Sequence, residues 1–246
     1  AYYKFSLNGM SGNLDSEHSV LFNPEGIMKV RCGGQLVLLT LIEQIWQKNI
    51  ELVQANTDGL TVRIHKKDLD WFYEIVKKAE EKFNVKFEYA EYSKMVFKDV
   101  NSYLAIETNG KVKEKGDFVR VPALGNSTDF LIIPHLLYDY YVKEEPIEQA
   151  IKKYDDIFLF CASQKVDKSY EVWWNNKKCQ RLNRYYVSKN KPYLYKKRDG
   201  KLHHMLKGWG VQLYNNHQSL PIGEYAIDYR FYISEVNKII YNLNNG

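Results

Sequence analysis

The 246-residue sequence predicts an α+β fold in which helices pack against an antiparallel sheet. Two patterns lead to this class. Apolar residues recur at helical spacing on both sides of a stretch in which apolar and polar residues alternate, as they do in a strand. Short sequences of turn-forming residues separate the predicted strands. Hydrophobic residues make up 45% and charged residues 26% of the chain, which excludes wholesale disorder. The length allows one large domain or two small ones.

The first well-marked helix is predicted to begin at Asn23-Pro24, because Asn caps free backbone amides and Pro is tolerated at the first helical position. Its apolar positions keep helical spacing: Leu38, Leu41, Ile42, Ile45 and Trp46. Lys48-Asn49 marks its end. The pair Gly33-Gly34 costs roughly 1 kcal/mol per Gly relative to Ala. We therefore expect another backbone to approach the helix closely there.

A β-hairpin is predicted after this helix. Apolar and polar residues alternate over 60–65, which is the period of a half-buried strand. Asn56-Thr57-Asp58-Gly59 separates this strand from the run 50–55, and Asp-Gly is a common hairpin ending. The two runs are therefore expected to pair around a turn that ends in Asp58-Gly59.

The remaining elements follow from the same two periods. A second amphipathic helix is expected from Leu69 to about Asn84, and two or three strands over 85–107, with Thr108-Asn109-Gly110 as another hairpin turn. Further helices are expected near 128–143, 146–154 and 230–243. Short strands are expected near 184–188 and 193–197.

The net charge of +5 is distributed unevenly along the chain. Residues 1–110 carry a net charge of −2, and residues 111–246 carry +7. Between Ser163 and Lys207 there are 13 basic and 3 acidic residues, with seven Tyr or Trp among them. A mildly acidic first half and a basic, aromatic second half indicate a polyanion held beside a cation-binding site.

Several classes of protein are excluded by the sequence. The apolar runs are too short to span a bilayer, and no signal sequence opens the chain. Three widely spaced cysteines without a CxxC or HxxxH pairing argue against a disulfide framework and a structural zinc site. We expect a soluble, cytoplasmic protein with no membrane partner. The first residues, 1–7, read as the inside of an ordered segment, so we also expect the chain to be part of a longer protein.

Two small groups of residues are candidates for nucleotide chemistry. A carboxylate at a tight turn, as at Asp58, can bind Mg²⁺, although Asp-Gly can also serve only to form the turn. Lys4 and Asn8 share a face if their segment is helical, so that Lys4 can neutralise a triphosphate and Asn8 can hydrogen-bond a nucleotide. The alternative for this pair is a solvated helix end stopped by glycine.

The basic segment, residues 163–207, is a candidate nucleic-acid surface. Its cations interleave with aromatic residues, which suits phosphate contacts together with packing on sugars and bases. A solvated basic surface is the alternative. The candidate contact residues are Lys177, Lys178, Arg181, Arg184, Tyr185, Lys189, Lys196 and Lys197.

The order of these groups resembles family B DNA polymerases, in particular the bacteriophage members. Residues 4–12 are similar to the fingers motif K-x3-N-S-x-Y-G, and 55–59 to the metal-binding motif D-T-D-S or D-T-D-G. Residues 98–103 fall where these enzymes carry a K-x-Y motif that holds the primer terminus. Residues 180–189 and 207–210 resemble thumb segments. The resemblance spans nearly the whole chain.

The resemblance implies a division into three parts. Residues 1–22 would be the end of a fingers helix and a connector, 23–105 the C-terminal part of the palm, and 106–246 the thumb. The palm would be an antiparallel sheet with packed helices, and the thumb mostly helical with short strands. The reaction would be template-directed addition of deoxynucleotides to a primer 3′ end by a two-metal mechanism.

The resemblance also implies residue roles. Lys4 would contact the triphosphate of the incoming deoxynucleotide, and Asn8 would line the nascent base pair. Asp58 would hold the Mg²⁺ ions, with Asn56 as a weak ligand where the family has Asp. Tyr103, with Lys98 nearby, would steady the primer. The basic segment would grip the duplex through its backbone.

Four further features separate this chain from the family pattern. Gly9 and Ser11 stand where the pattern has Ser and Tyr, and Asn101 stands where Lys is expected. The upstream motif D-x2-S-L-Y-P, which supplies the second catalytic Asp, does not occur in the sequence. The chain also has no stretch long enough for an exonuclease domain.

We therefore expect a C-terminal polymerase portion that is inactive alone. The N-terminal portion, with exonuclease, first palm part and fingers, would be a separate chain or a missing segment, and the location would be the host cytoplasm if the protein is phage-encoded. A non-catalytic nucleic-acid-binding polymerase subunit is the main alternative. An unrelated palm-type enzyme such as a reverse transcriptase is a third.

Overall fold

The computed structural model describes residues 2–190, 192–216 and 220–245, with side chains described from Gly9 onward. It confirms the α+β class with antiparallel sheets. The chain divides into two compact units, Ala1–Ala90 and Glu91–Gly246. This division precedes the predicted boundary near 105, because the strands before and after that point form one sheet in the second unit. The assignment of 1–22, 23–105 and 106–246 to fingers, palm and thumb stays a prediction.

The first unit contains helices packed against one hairpin. Asn23 caps the second helix as predicted, since its Oδ1 accepts a hydrogen bond from the Gly26 N–H at 2.9 Å. Asn84 ends the third helix in the left-handed conformation, with φ 51°. The elements are α1 (Tyr2–Asp15), α2 (Pro24–Gln47), β1 (Glu51–Ala55), β2 (Leu60–Arg63) and α3 (Leu69–Phe83).

The core of the first unit lies between α2, α3 and the hairpin. The buried helix side chains that form this core cluster are Leu41, Ile45, Ile75, Val76 and Ala79. Leu60 and Val62 of β2 pack against this group, as their alternation predicts. Burying a large aliphatic side chain stabilises a fold by roughly 1.5–3 kcal/mol. The packing therefore fixes the hairpin on the helices.

The expected close approach at Gly33-Gly34 is wrong. A Cβ at either glycine would meet no described atom within 4 Å outside the helix backbone. Both positions lie on the exposed side of α2, whereas the core contacts come from the later turns of the helix. Among the described residues, neither glycine makes a packing contact that offsets its cost in helix stability.

The second unit contains three antiparallel sheets and three α-helices in the part of the chain that is described. The strands are β3 (Tyr92–Asp99), β4 (Ser102–Glu107), β5 (Val112–Lys115), β6 (Cys161–Lys165), β7 (Glu171–Trp174), β8 (Lys177–Cys179), β9 (Leu182–Val187), β10 (Leu194–Arg198), β11 (Lys201–His204) and β12 (Val211–Leu213). The sheets have the strand orders β3-β4-β5, β12-β9-β6 and β11-β10-β7-β8. The helices are α4 (Ile132–Val142), α5 (Ile147–Ala150) and α6 (Tyr229–Asn245).

Most predicted elements of this unit are present. The Thr108-Asn109-Gly110 turn joins β4 to β5, with Gly110 at φ 85°. The strands expected near 184–188 and 193–197 are β9 and β10. The strand content is nevertheless larger than predicted for a mostly helical thumb, since the strands from β6 to β12 fill most of 161–213. Several of them carry polar residues on both faces, so they lack the alternation that identifies a half-buried strand.

The second unit has its own hydrophobic core, called the second core. Tyr232 of α6 belongs to it and is fully buried. Its hydroxyl accepts a hydrogen bond from the Val187 N–H at 2.9 Å and donates one to the Phe160 carbonyl at 2.7 Å. Burial raises the pKa of this phenol well above its ordinary value. One hydroxyl therefore joins α6 to β9 and to Phe160, the residue that precedes β6. Within the described ranges, no helix has the length and apolar character needed to cross a bilayer.

Candidate functional site

The tip of the β1–β2 hairpin holds the predicted metal-binding residues. Ala55 and Leu60 are the last paired residues, so 56–59 form the loop between the strands. The Asn56 N–H donates to the Gly59 carbonyl at 3.0 Å. The Asp58 N–H donates to Asn56 Oδ1 at 3.2 Å. The predicted turn is thus confirmed, and the Asn56 side-chain oxygen stabilises it by accepting a hydrogen bond from a backbone amide of the same turn.

This arrangement gives the two candidate ligands different roles. Asp58 is exposed at the tip of the hairpin. Leu60 and Val62 of β2 pack this hairpin against the core of the first unit, called the first core. Asn56 Oδ1 is already engaged by the Asp58 amide. Among the described residues, no three His, Cys, Asp or Glu side chains come together as a metal site. The loop therefore offers one carboxylate, which suits Mg²⁺ only as part of a larger ligand set.

We expect Asn56→Ala to lower the free energy of unfolding of the first unit by about 0.5–1.5 kcal/mol, because the Asp58 amide loses its acceptor. Asn56→Asp keeps an acceptor oxygen at this position and should cost less. Urea unfolding of both variants measures the difference. Equal losses for Ala and Asp would show that the side-chain oxygen does not stabilise the turn.

A mostly apolar groove of about 440 Å³ lies beside the hairpin tip within the first unit. Leu36 and Leu39 of α2 line one side, and Ala55, Asn56 and Leu60 line the other. The groove places an apolar surface next to the turn.

Lys4 and Asn8 both lie in α1, as predicted. The helix continues through Gly9 and Gly12 to Asp15, so the alternative of a helix end stopped by glycine does not hold. The side chains of Lys4 and Asn8 lie outside the described part of the structure. Their proposed contacts with a nucleotide stay predictions.

Lys98 and Tyr103 lie in the β3–β4–β5 sheet. Lys98 Nζ pairs with Asp117 Oδ2 at 2.7 Å, and this hydrogen bond is the main cause of a raised pKa for Lys98. Tyr103 is only 7% exposed, and the ammonium group of Lys115 lies 5.7 Å from its ring centroid. Tyr103 is therefore a buried side chain of this sheet.

The basic segment divides between two sheets of the second unit. Lys177 and Lys178 lie on β8, with Lys196 and Lys197 on β10 of the same four-stranded sheet. The other four candidates lie in or beside β9 of the three-stranded sheet: Arg181, Arg184, Tyr185 and Lys189.

The candidates differ in their surroundings. Arg184 Nε donates to Ser163 Oγ at 3.3 Å, and its guanidinium lies 5.2 Å from the centroid of the Phe158 ring. Tyr185 is 6% exposed and packs edge-on against Phe130. Burial, followed by the charge of Asp129, raises the pKa of the Tyr185 phenol. Tyr185 is thus a core residue of β9, whereas Lys177, Lys178 and Lys197 are exposed.

Trp173 and Tyr195, which lie opposite each other on β7 and β10, are not among the residues predicted from the sequence. The available signal was a period of two along the chain, since Tyr193, Tyr195 and Lys197 occupy alternate positions. Consecutive charged residues in this segment obscure that alternation.

Comparison with known proteins identifies a structural neighbour. Neither a protein-family model nor a curated protein matches the sequence. Among solved structures, the chain is similar to the family B DNA polymerase from the hyperthermophilic archaeon Pyrobaculum calidifontis, with a TM-score of 0.53 and 15% identity. The match covers 98% of this chain and 32% of that one. At this identity the similarity shows the fold, and the chain spans about a third of the polymerase's length.

Proposed function

We propose that this chain is the C-terminal part of a bacteriophage-like family B DNA polymerase. The observation that carries the proposal is the position of Asp58. The segment that resembles the metal-binding motif forms the tip of a packed hairpin, within a chain whose fold is like that of a family B polymerase over 98% of its length. The motif order in the sequence and the fold similarity are separate lines of support.

The reaction of the complete enzyme joins the primer 3′ oxygen to the α-phosphate of a deoxynucleotide and releases pyrophosphate. Mg²⁺, when bound, would neutralise phosphate charge and favour ionisation of the primer hydroxyl. Asp58 would supply one of its ligands, and an upstream segment would supply the second carboxylate. Lys4 would bind the triphosphate and Asn8 would contact the new base pair.

The second unit would hold the primer–template duplex. Exposed cations on β8 and β10, together with Arg181 and Lys189, would contact phosphates without reading the sequence. Lys98 would contribute from β3, and Tyr103 would support that strand from within the sheet. This division of roles follows from the exposure of the lysines and the burial of Tyr103.

A non-catalytic nucleic-acid-binding subunit is the second candidate function. One observation favours it: Asn56 stands in the loop with its side-chain oxygen engaged by the turn, which leaves one carboxylate there. Such a subunit would bind DNA through the same cations. It would add nothing to primer extension.

Binding to a primer–template duplex tests the nucleic-acid part of the proposal. For six to ten phosphate contacts, the affinity should fall on the order of 10³–10⁵-fold between 50 and 200 mM salt, with little sequence preference. Changing Lys177, Lys178 and Lys197 together to Gln should reduce the slope of log affinity against log salt by about 0.9 for each lost contact.

The matched control changes Lys29 and Lys78, two exposed lysines of the first unit, to Gln. It should leave the slope nearly unchanged. A flat salt dependence for the unmodified chain would overturn the duplex-binding proposal.

Primer extension tests the catalytic part. The chain alone should not extend a primer, and adding a polypeptide that supplies the upstream Asp should restore Mg²⁺-dependent extension. Extension by the pure chain would contradict the need for a second segment. DNA binding without any restored extension would favour the non-catalytic subunit.

A further inference from the structure

The four-stranded sheet β8-β7-β10-β11 has one face turned toward the second core. Val172 of β7 and Leu194 of β10 are almost fully buried on this face. Trp174 lies on it as well and donates a hydrogen bond from Nε1 to the Val211 carbonyl at 2.8 Å. Because successive side chains of a strand point to opposite faces, Trp173 and Tyr195 point away from the core.

The outward face carries an aromatic row, which consists of Trp173, Tyr195, His204 and Tyr193. Tyr195 is the register partner of Trp173 on one side and of His204 on the other. The ring centroids of Tyr195 and His204 are 6.3 Å apart, and those of Tyr193 and His204 are 5.3 Å apart. Directly opposed residues of antiparallel strands have Cβ atoms about 4.5–5.5 Å apart. The row therefore crosses three neighbouring strands without a break.

Trp173 and Tyr195 are each held by a hydrogen bond at the polar edge of the ring. Trp173 Nε1 donates to Glu171 Oε2 at 3.2 Å. The Tyr195 hydroxyl donates to Asn176 Oδ1 at 3.3 Å. Tyr193 is 41% exposed and His204 is also exposed. Rings that are already oriented lose less side-chain entropy when a ligand packs on them.

Cations lie beside the aromatic row on its own face and on the opposite face of the sheet. Lys178 and Lys197 lie on the same face, in register with Trp173 and Glu171 respectively. Lys178 Nζ pairs with Glu171 Oε1 at 2.5 Å, and Lys197 gives these three charged residues a net positive charge. On the opposite face, Lys196 and Arg198 lie 4.7 and 4.8 Å from the centroid of the Tyr170 ring. The rings thus lie within a sheet that is basic on both faces.

We propose that the aromatic row binds single-stranded nucleic acid, with bases stacked on Trp173 and Tyr195 and phosphates contacted by Lys178 and Lys197. A row of rings next to cations matches the alternating π-faces and negative charges of an unpaired strand. A duplex hides its base faces, so the duplex grip proposed above needs only the cations. An apolar protein partner would gain little from the surrounding positive charge. The inference goes beyond the proposed function and does not depend on it.

The test compares two oligonucleotides of equal length and charge, an oligo-dT of about twelve nucleotides and an abasic oligomer without bases. The readout is fluorescence anisotropy of the labelled strand. The chain should bind oligo-dT at least about tenfold more tightly than the abasic strand. The double substitution Trp173→Ala and Tyr195→Ala should remove this difference and leave the affinity for the abasic strand unchanged. An oligo-rU arm identifies which sugar the row prefers.

Two controls keep the test decisive. Trp173→Phe with Tyr195→Phe retains both rings and should retain most of the preference for oligo-dT. Trp46→Ala removes a tryptophan that is 77% exposed in the first unit and should change nothing. Thermal unfolding of each variant shows whether it is folded.

Equal affinity for oligo-dT and the abasic strand would overturn the proposal. An unchanged oligo-dT affinity in the folded Ala double variant would do the same. Neither result would affect duplex binding with a steep salt dependence, so failure of the aromatic row is distinguishable from failure of the proposed function.

Discussion

Asp58→Asn is expected to reduce primer extension in the reconstituted reaction about a hundredfold or more, while DNA affinity stays unchanged. The substitution keeps the size of the side chain and removes its negative charge. Loss of one preorganised electrostatic group at a reacting centre typically costs about 10²–10³-fold in rate. The Asp58 backbone N–H still donates to Asn56 Oδ1, so the turn should be retained. Single-turnover extension and duplex titration measure the two quantities.

Asp70→Asn is the matched control for this prediction. Asp70 is an exposed carboxylate in the first turn of α3, within the same unit. Its neutralisation should leave extension nearly unchanged. If Asp58→Asn extended primers as well as the unmodified chain, Asp58 would not be a metal ligand and the catalytic proposal would fail.

Tyr232→Phe is expected to lower the free energy of unfolding of the second unit by about 2–4 kcal/mol. The substitution removes only a hydroxyl, but it leaves the Val187 N–H and the Phe160 carbonyl without this partner in the core. A buried polar group without a partner costs about 1–3 kcal/mol. Urea unfolding followed by circular dichroism measures the loss.

Tyr241→Phe provides the comparison, since Tyr241 lies on the same helix and is 67% exposed. Its loss of a solvated hydroxyl should change stability by less than about 0.5 kcal/mol. Similar effects of the two substitutions would contradict the role assigned to the buried hydroxyl.

The first unit could be predicted from the sequence because its signals are local. Asn23-Pro24 starts α2, Asn84 ends α3, and the alternation around Leu60 identifies β2. These features depend on residues a few positions apart. The role of Asn56 as the acceptor that closes the turn was not predicted, because the same position matches a ligand position of the metal-binding motif.

The second unit was harder to predict because its burial depends on distant strands. Tyr185, Tyr186 and Val187 are consecutive and all buried, since β9 lies between β6 and β12 and is covered on both faces. A strand of this kind has no period of two in its burial. Tyr185 therefore looked like part of a basic surface, although its ring belongs to the core.

The hydroxyl of Tyr232 also has a consequence for the order in which the protein folds during synthesis. Its two partners precede it by 45 and 72 residues, whereas the first core forms entirely within Leu41–Phe87. Domains generally fold as units in the order in which they leave the ribosome, and distant contacts form late. The first unit can thus complete its core while the second is still being translated. The second unit must keep its aromatic segments soluble until α6 emerges.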